Sequence, residues 1–279
     1  MQGPRSIPPG RRGFRRPPPS ARRGGAPDWN ISRAQRQEER ERFRRRAKLT
    51  GLQPAPPPPT HWIYLHGFAS GPQSQKAKFF QQKFASVNLP LVVPDLNVPS
   101  FEKLTVTAML AKLDEVVAAL PADARIGIIG SSLGGLVALF SAERHPKHVT
   151  RLLLMAPALG LFRTNFLSLG HTGVRKWERE GFFDIHHQGT DSAQRIASDF
   201  IHDARRYDEN RLRLSIPVMI VHGTHDQVVD PHLSVVYAKH NPNVTLHLVE
   251  DDHTLVTSCT QVWEWLWREI RPRHEGEER

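Results

Sequence analysis

One cysteine, Cys259, stands in the 279 residues, so no internal disulfide can staple this chain, and a reducing compartment suits it. No run approaches the ~20 apolar residues that a membrane-spanning helix needs. No segment repeats. Acids are missing before Asp28, while residues 1–50 hold 15 Lys or Arg against 4 Asp or Glu, a balance of +11. The whole chain balances at +10, so residues 51–279 carry −1 and the basic character belongs to the N-terminal stretch. A near-neutral remainder excludes an extended nucleic-acid surface, and DNA is not expected as a partner there.

Residues 1–58 read as a disordered Arg- and Pro-rich tail, because their composition cannot bury a core. Weak contact with polyanions is the partner that such charge suits. Arg11-Arg12-Gly13-Phe14 has the look of an export signal, but no apolar segment follows it. The expected location is cytoplasmic, with organelle targeting by the tail as the alternative.

What the chain does contain is a serine at a strand-to-helix break. Arg125-Ile126-Gly127-Ile128-Ile129 is a short apolar run of the kind buried in a parallel sheet, and Leu136 opens an apolar helical stretch. Between them, Gly130-Ser131-Ser132-Leu133-Gly134 has the spacing G-x-S-x-G. A nucleophile needs a sharp turn that lifts its hydroxyl above the sheet, and a Cβ two residues either side would collide with neighbouring chain. Ser132 is therefore the candidate nucleophile.

A serine hydroxyl is weak at neutral pH and needs a base and an acid that orients the base. Ile216–Gly223 reads as a buried strand whose following loop holds Asp226, and Val244–Glu250 reads as a strand followed by His253. Each lies past the C-terminal end of a strand, where open parallel sheets place their ligands. Asp230, Asp251 and Asp252 compete for the acid, but only Asp226 occupies the first turn after its strand. His222 and His247 sit inside strand patterns and read as structural, and the adjacent His186-His187 pair lacks metal-ligand spacing, so no metal is expected. Trp62–Leu65 runs into the glycine-bracketed loop His66-Gly67-Phe68-Ala69-Ser70-Gly71. The backbone N–H groups of Phe68 and Leu133 are the candidate oxyanion donors.

His66-Gly67-Phe68-Ala69-Ser70-Gly71-Pro72, Ser74, Lys76-Ala77, Gly130-Ser131-Ser132-Leu133-Gly134-Gly135, Pro94-Asp95-Leu96, Gly223-Thr224-His225-Asp226 and His253 together resemble the YqiA/YcfP-like small esterases of the α/β-hydrolase superfamily. The resemblance covers roughly residues 60–270 in register and order. It implies an α/β-hydrolase fold and carboxylic-ester hydrolysis by Ser132, Asp226 and His253 without a cofactor.

The coarse order of elements is α/β, with a doubly wound, mostly parallel sheet of about six strands. Strands are expected near 61–66, 90–94, 125–130, 150–156, 217–222 and 244–249, and helices near 74–87, 103–120, 133–145, 232–240 and 255–270. The hydrolase domain is set at 59–275, with an insert at about 160–214 read as a mainly helical cap. Phe166 and Trp177 of that insert are the candidate pocket residues. The expected reaction is cleavage of a small-molecule carboxylic ester or thioester through an acyl-enzyme on Ser132. Acyl transfer by the same trio, or a non-catalytic binding protein on this scaffold, are the alternatives.

Overall fold

The structure, a computed structural model, describes residues 57–161 and 169–271. The tail as far as residue 56, and Phe166 with it, lie outside the described residues. Six parallel strands form the main sheet: β1 His61–Leu65, β2 Leu91–Val92, β3 Ile126–Ser131, β4 Val149–Met155, β7 Val218–Gly223 and β8 Val244–Val249, in the order β2-β1-β3-β4-β7-β8. Strands β3 and β7 are buried at every residue, because each has a strand on both edges and helices on both faces. That is why both read as continuous apolar runs.

Alternation within the strands divides the core into two layers. Ile63, Leu65, Ile126, Ile128, Leu152, Leu154 and Ile220 face α2 (Val106–Ala118), α3 (Leu133–Arg144) and Tyr237 of α6 (Pro231–His240). Trp62, Tyr64, Ile129, Leu153, Met155 and Val221 face α1 (Gln75–Ser86) and α7 (Cys259–Ile270) on the other side. The chain is thus doubly wound. Cys259 is packed in the second layer, where burial pushes its thiol up to about 11.

Two helices start later than expected, for local reasons. Helix α2 begins after Thr105, whose hydroxyl accepts the Ala108 amide at 3.0 Å as an N-cap, while Phe101 and Leu104 turn inward ahead of it. Its buried face is Val106, Met109, Leu110, Leu113 and Val117, and Ala111 is exposed. Helix α7 begins at Cys259 rather than near Leu255, because Leu255 has φ +52° and the Asp251 carboxylate accepts the Ser258 amide at 2.9 Å.

The insert between β4 and β7 departs from the helical expectation. It holds α4 (Gly170–Glu180), an antiparallel hairpin of β5 (Phe182–His187) with β6 (Ser192–Ala197), and α5 (Asp199–Ala204). Phe183, Ile185 and His187 alternate with the exposed Phe182, Asp184 and His186, a two-residue period that a helix cannot use. Trp177, Ile196, Phe200 and Ile201 join the main core layer. Among the described residues no helix is long and apolar enough to cross a membrane.

Candidate active site

Ser132 sits between β3 and α3 with φ +51° and ψ −115°, a strained backbone for a residue with a Cβ. Close packing enforces it. The Ser132 amide donates to the Met155 carbonyl at 2.9 Å, and its carbonyl accepts from Ala158 at 3.0 Å and Gly135 at 2.9 Å. A Cβ on Gly130 would strike the start of α3, and one on Gly134 would strike the Leu65 and His66 carbonyls at the end of β1. The two glycines of the motif are therefore set by approach of backbone to backbone.

The serine hydroxyl donates to His253 Nε2 at 3.0 Å, and His253 Nδ1 donates to Asp226 Oδ2 at 2.7 Å. The three residues expected from sequence meet in one hydrogen-bonded chain. Asp226 is 6% exposed; its Oδ1 accepts from the amides of Val228 at 2.8 Å and Val229 at 2.9 Å. Burial works to raise its carboxyl pKa, but hydrogen bonds from His222 and His253 outweigh it and hold the group well below the usual carboxylate range. The competing acids build structure instead. Asp230 caps α6 through the His232 amide at 2.9 Å, and Asp252 accepts the Thr254 amide at 2.8 Å beside the histidine.

The loop after β1 lies against the nucleophile, since a Cβ on Gly67 would stand 3.3 Å from Ser132 Cβ. His66 is buried and shapes that loop: its Nε2 accepts the Leu96 amide at 2.9 Å, and its Nδ1 donates to the Gly67 carbonyl at 3.0 Å. Leu133 is the first residue of α3, so its amide is among those with no acceptor inside the helix. Phe68 is half-buried in the loop, directly after Gly67.

Three residues near the site make contacts that the sequence reading did not assign. His222 is fully buried with Nε2 3.0 Å from the same Asp226 Oδ2 that His253 uses, so it is more than a strand-filling residue. Lys76 in α1 donates to the Thr254 carbonyl at 2.6 Å, linking that helix to the His253 loop; burial lowers its ammonium to about 8. Phe200 of the insert stacks on Phe68. Trp177, expected in a substrate pocket, is 1% exposed, with its indole N–H donating to the Ile196 carbonyl at 3.2 Å. The indole packs inside the insert.

A family model described as "Uncharacterised protein family (UPF0227)" matches residues 61–266. The chain belongs to this family. The pimeloyl-[acyl-carrier protein] methyl ester esterase of Neisseria meningitidis serogroup C is 30% identical over 188 residues, 54% of this chain and 69% of the relative. Est1E from Butyrivibrio proteoclasticus superposes with a TM-score of 0.61 at 20% identity, over 79% of this chain and 92% of that one. Mouse alpha/beta hydrolase domain-containing protein 10 gives 0.60 at 21%, over 74% and 90%. The two structural likenesses show the fold. The fold is that of the α/β hydrolases.

Proposed function

We propose that this chain cleaves a carboxylic ester or thioester through an acyl-enzyme on Ser132, with His253 as base and Asp226 as its orienting acid. The observation that carries the reading is the continuous chain Ser132 Oγ–His253 Nε2–His253 Nδ1–Asp226 Oδ2, at 3.0 and 2.7 Å across its two hydrogen bonds. Asp226 fixes the proton on Nδ1 and leaves the Nε2 lone pair facing the hydroxyl. As Oγ bonds to the carbonyl carbon, His253 takes the hydroxyl proton, then returns it to the departing alcohol or thiol. Water, deprotonated by the same nitrogen, releases the acid.

Negative charge on the carbonyl oxygen develops where the Leu133 and Phe68 amides would meet it. One such donor contributes about 2.7–4 kcal/mol to lowering the barrier. Ester cleavage by the Neisseria relative supports the substrate class, not the acyl group. The buried thiol of Cys259 suits a cytoplasmic setting, and the basic tail is assigned weak polyanion contact with no part in the chemistry.

Labelling with a fluorophosphonate probe tests the nucleophile. The wild-type chain should label and Ser132→Ala should not, while Ser132→Ala and His253→Ala each lower kcat on a p-nitrophenyl ester by about 10⁶. Equal labelling of wild type and Ser132→Ala would overturn the assignment.

A further inference from the structure

The insert reaches the loop after β1 at two independent points. Phe200, fully buried in α5, stacks on Phe68 with ring centroids 5.3 Å apart and planes 29° apart. At the hairpin tip, the Gln188 amide donates to the Ala69 carbonyl at 2.8 Å. Ala69 has φ +51°, a left-handed conformation that an alanine does not hold unaided. It is held here by that hydrogen bond and by its burial.

Further contacts fix the insert against the same loop. Phe101 meets the Phe68 ring at 5.5 Å, and the His187 ring stands edge-on to Phe101 at 4.7 Å. The Ala197 amide, at the end of β6, donates to the Glu102 carbonyl at 2.9 Å. Both strands of the hairpin are thus tied to the segment that flanks Phe68.

We propose that the insert braces the oxyanion loop: Phe200 and the Gln188 amide are positioning groups for the Phe68 N–H, and through it they set turnover. This rests on the reading of Ser132 and Phe68 given above. A wall that only selects the acyl chain would matter for long substrates and be silent for acetate. A brace matters for every substrate, because the oxyanion forms at the same place whatever the acyl group.

The test uses the full chain with p-nitrophenyl acetate, whose acyl group is too short for chain-length selection. Phe200→Ala should lower kcat about tenfold with KM held within about twofold, the pattern of an interaction made in the transition state. It should also weaken inhibition by a short alkyl boronic acid, whose tetrahedral adduct places an oxygen in the oxyanion site. Phe200→Tyr keeps the stack and should retain the rate. Gln188→Pro deletes the amide donor at an exposed tip without emptying the core, and should lower kcat in the same direction; it decides the matter if Phe200→Ala does not fold. Unchanged acetate kcat in a folded Phe200→Ala, or in Gln188→Pro, would overturn the brace. If Ser132→Ala and His253→Ala also kept their activity, the underlying reading would have failed instead.

Discussion

His222 and His253 both reach Oδ2 of Asp226, the former at 3.0 Å from the end of β7 and the latter at 2.7 Å from the loop after β8. His222 Nε2 also lies 3.1 Å from the Val229 carbonyl, and its Nδ1 is 2.7 Å from the buried Ser234 hydroxyl. Two acceptors around Nε2 place the proton there, so the Ser234 hydroxyl donates to Nδ1. With the two backbone amides on Oδ1, the Asp226 carboxylate has four donors and no water-exposed oxygen to reorient.

His222→Leu should therefore change chemistry as well as stability. Losing one donor loosens the Asp226 carboxylate, so His253 is held less firmly against the Ser132 hydroxyl. On a p-nitrophenyl ester kcat should fall about tenfold with KM held within about twofold. His222→Gln can keep an N–H near Oδ2 and should restore the rate. A lowered melting temperature with an unchanged kcat would reduce His222 to a packing residue.

Asp226 also links folding to pH. Its carboxyl pKa is depressed in the folded state, so the stability it supplies is fully present above the unfolded value of about 3.9 and is lost as pH falls below it. Denaturant unfolding of the wild type should show stability decreasing from about pH 5 downward, with a shallower decrease in Asp226→Asn. Parallel curves for the two proteins would mean that the carboxylate is not held ionised by its partners.

The parallel sheet is legible in the sequence because every central strand is a short apolar run closed by a turn, as in Ile126–Ser131 and Val218–Gly223. The meeting of Ser132, His253 and Asp226 is legible for the same reason, since all three follow strand ends on one edge. The hairpin in the insert was harder to read. Its strand Ser192–Ala197 is polar, and only the alternation at Phe183, Ile185 and His187 before Gly189 marks the pair. No pattern in the chain shows that His222, last but one in a buried strand, turns its ring to the acid loop, because that depends on where Asp226 and Ser234 arrive.

The described body begins close to residue 58. The Arg125 side chain donates to the Pro58 carbonyl at 3.0 Å, and the Thr60 amide donates to the Arg125 carbonyl at 2.7 Å. A chain starting at Pro57 should keep kcat/KM within about threefold, because those anchors remain and every residue of the Ser132 chain lies beyond them. It should lose any salt-sensitive retention on a polyanion such as heparin. A large fall in activity on a soluble ester would give the first 56 residues a part in the site.

Trp177 separates packing from selection within the insert. Its ring stacks toward Phe200 at 6.3 Å and meets Phe183 at 5.4 Å, so it supports α5 and the hairpin from inside. Trp177→Ala removes a fully buried indole and should destabilise the fold by about 3–5 kcal/mol. Well below the melting temperature, the ratio of rates on butyrate and octanoate esters should match the wild type, because the ring presents no surface to an acyl chain. Any loss of rate should fall equally on acetate, as expected if the insert acts through Phe200 on the oxyanion loop. A changed chain-length ratio with an unaltered melting temperature would instead place Trp177 on the substrate.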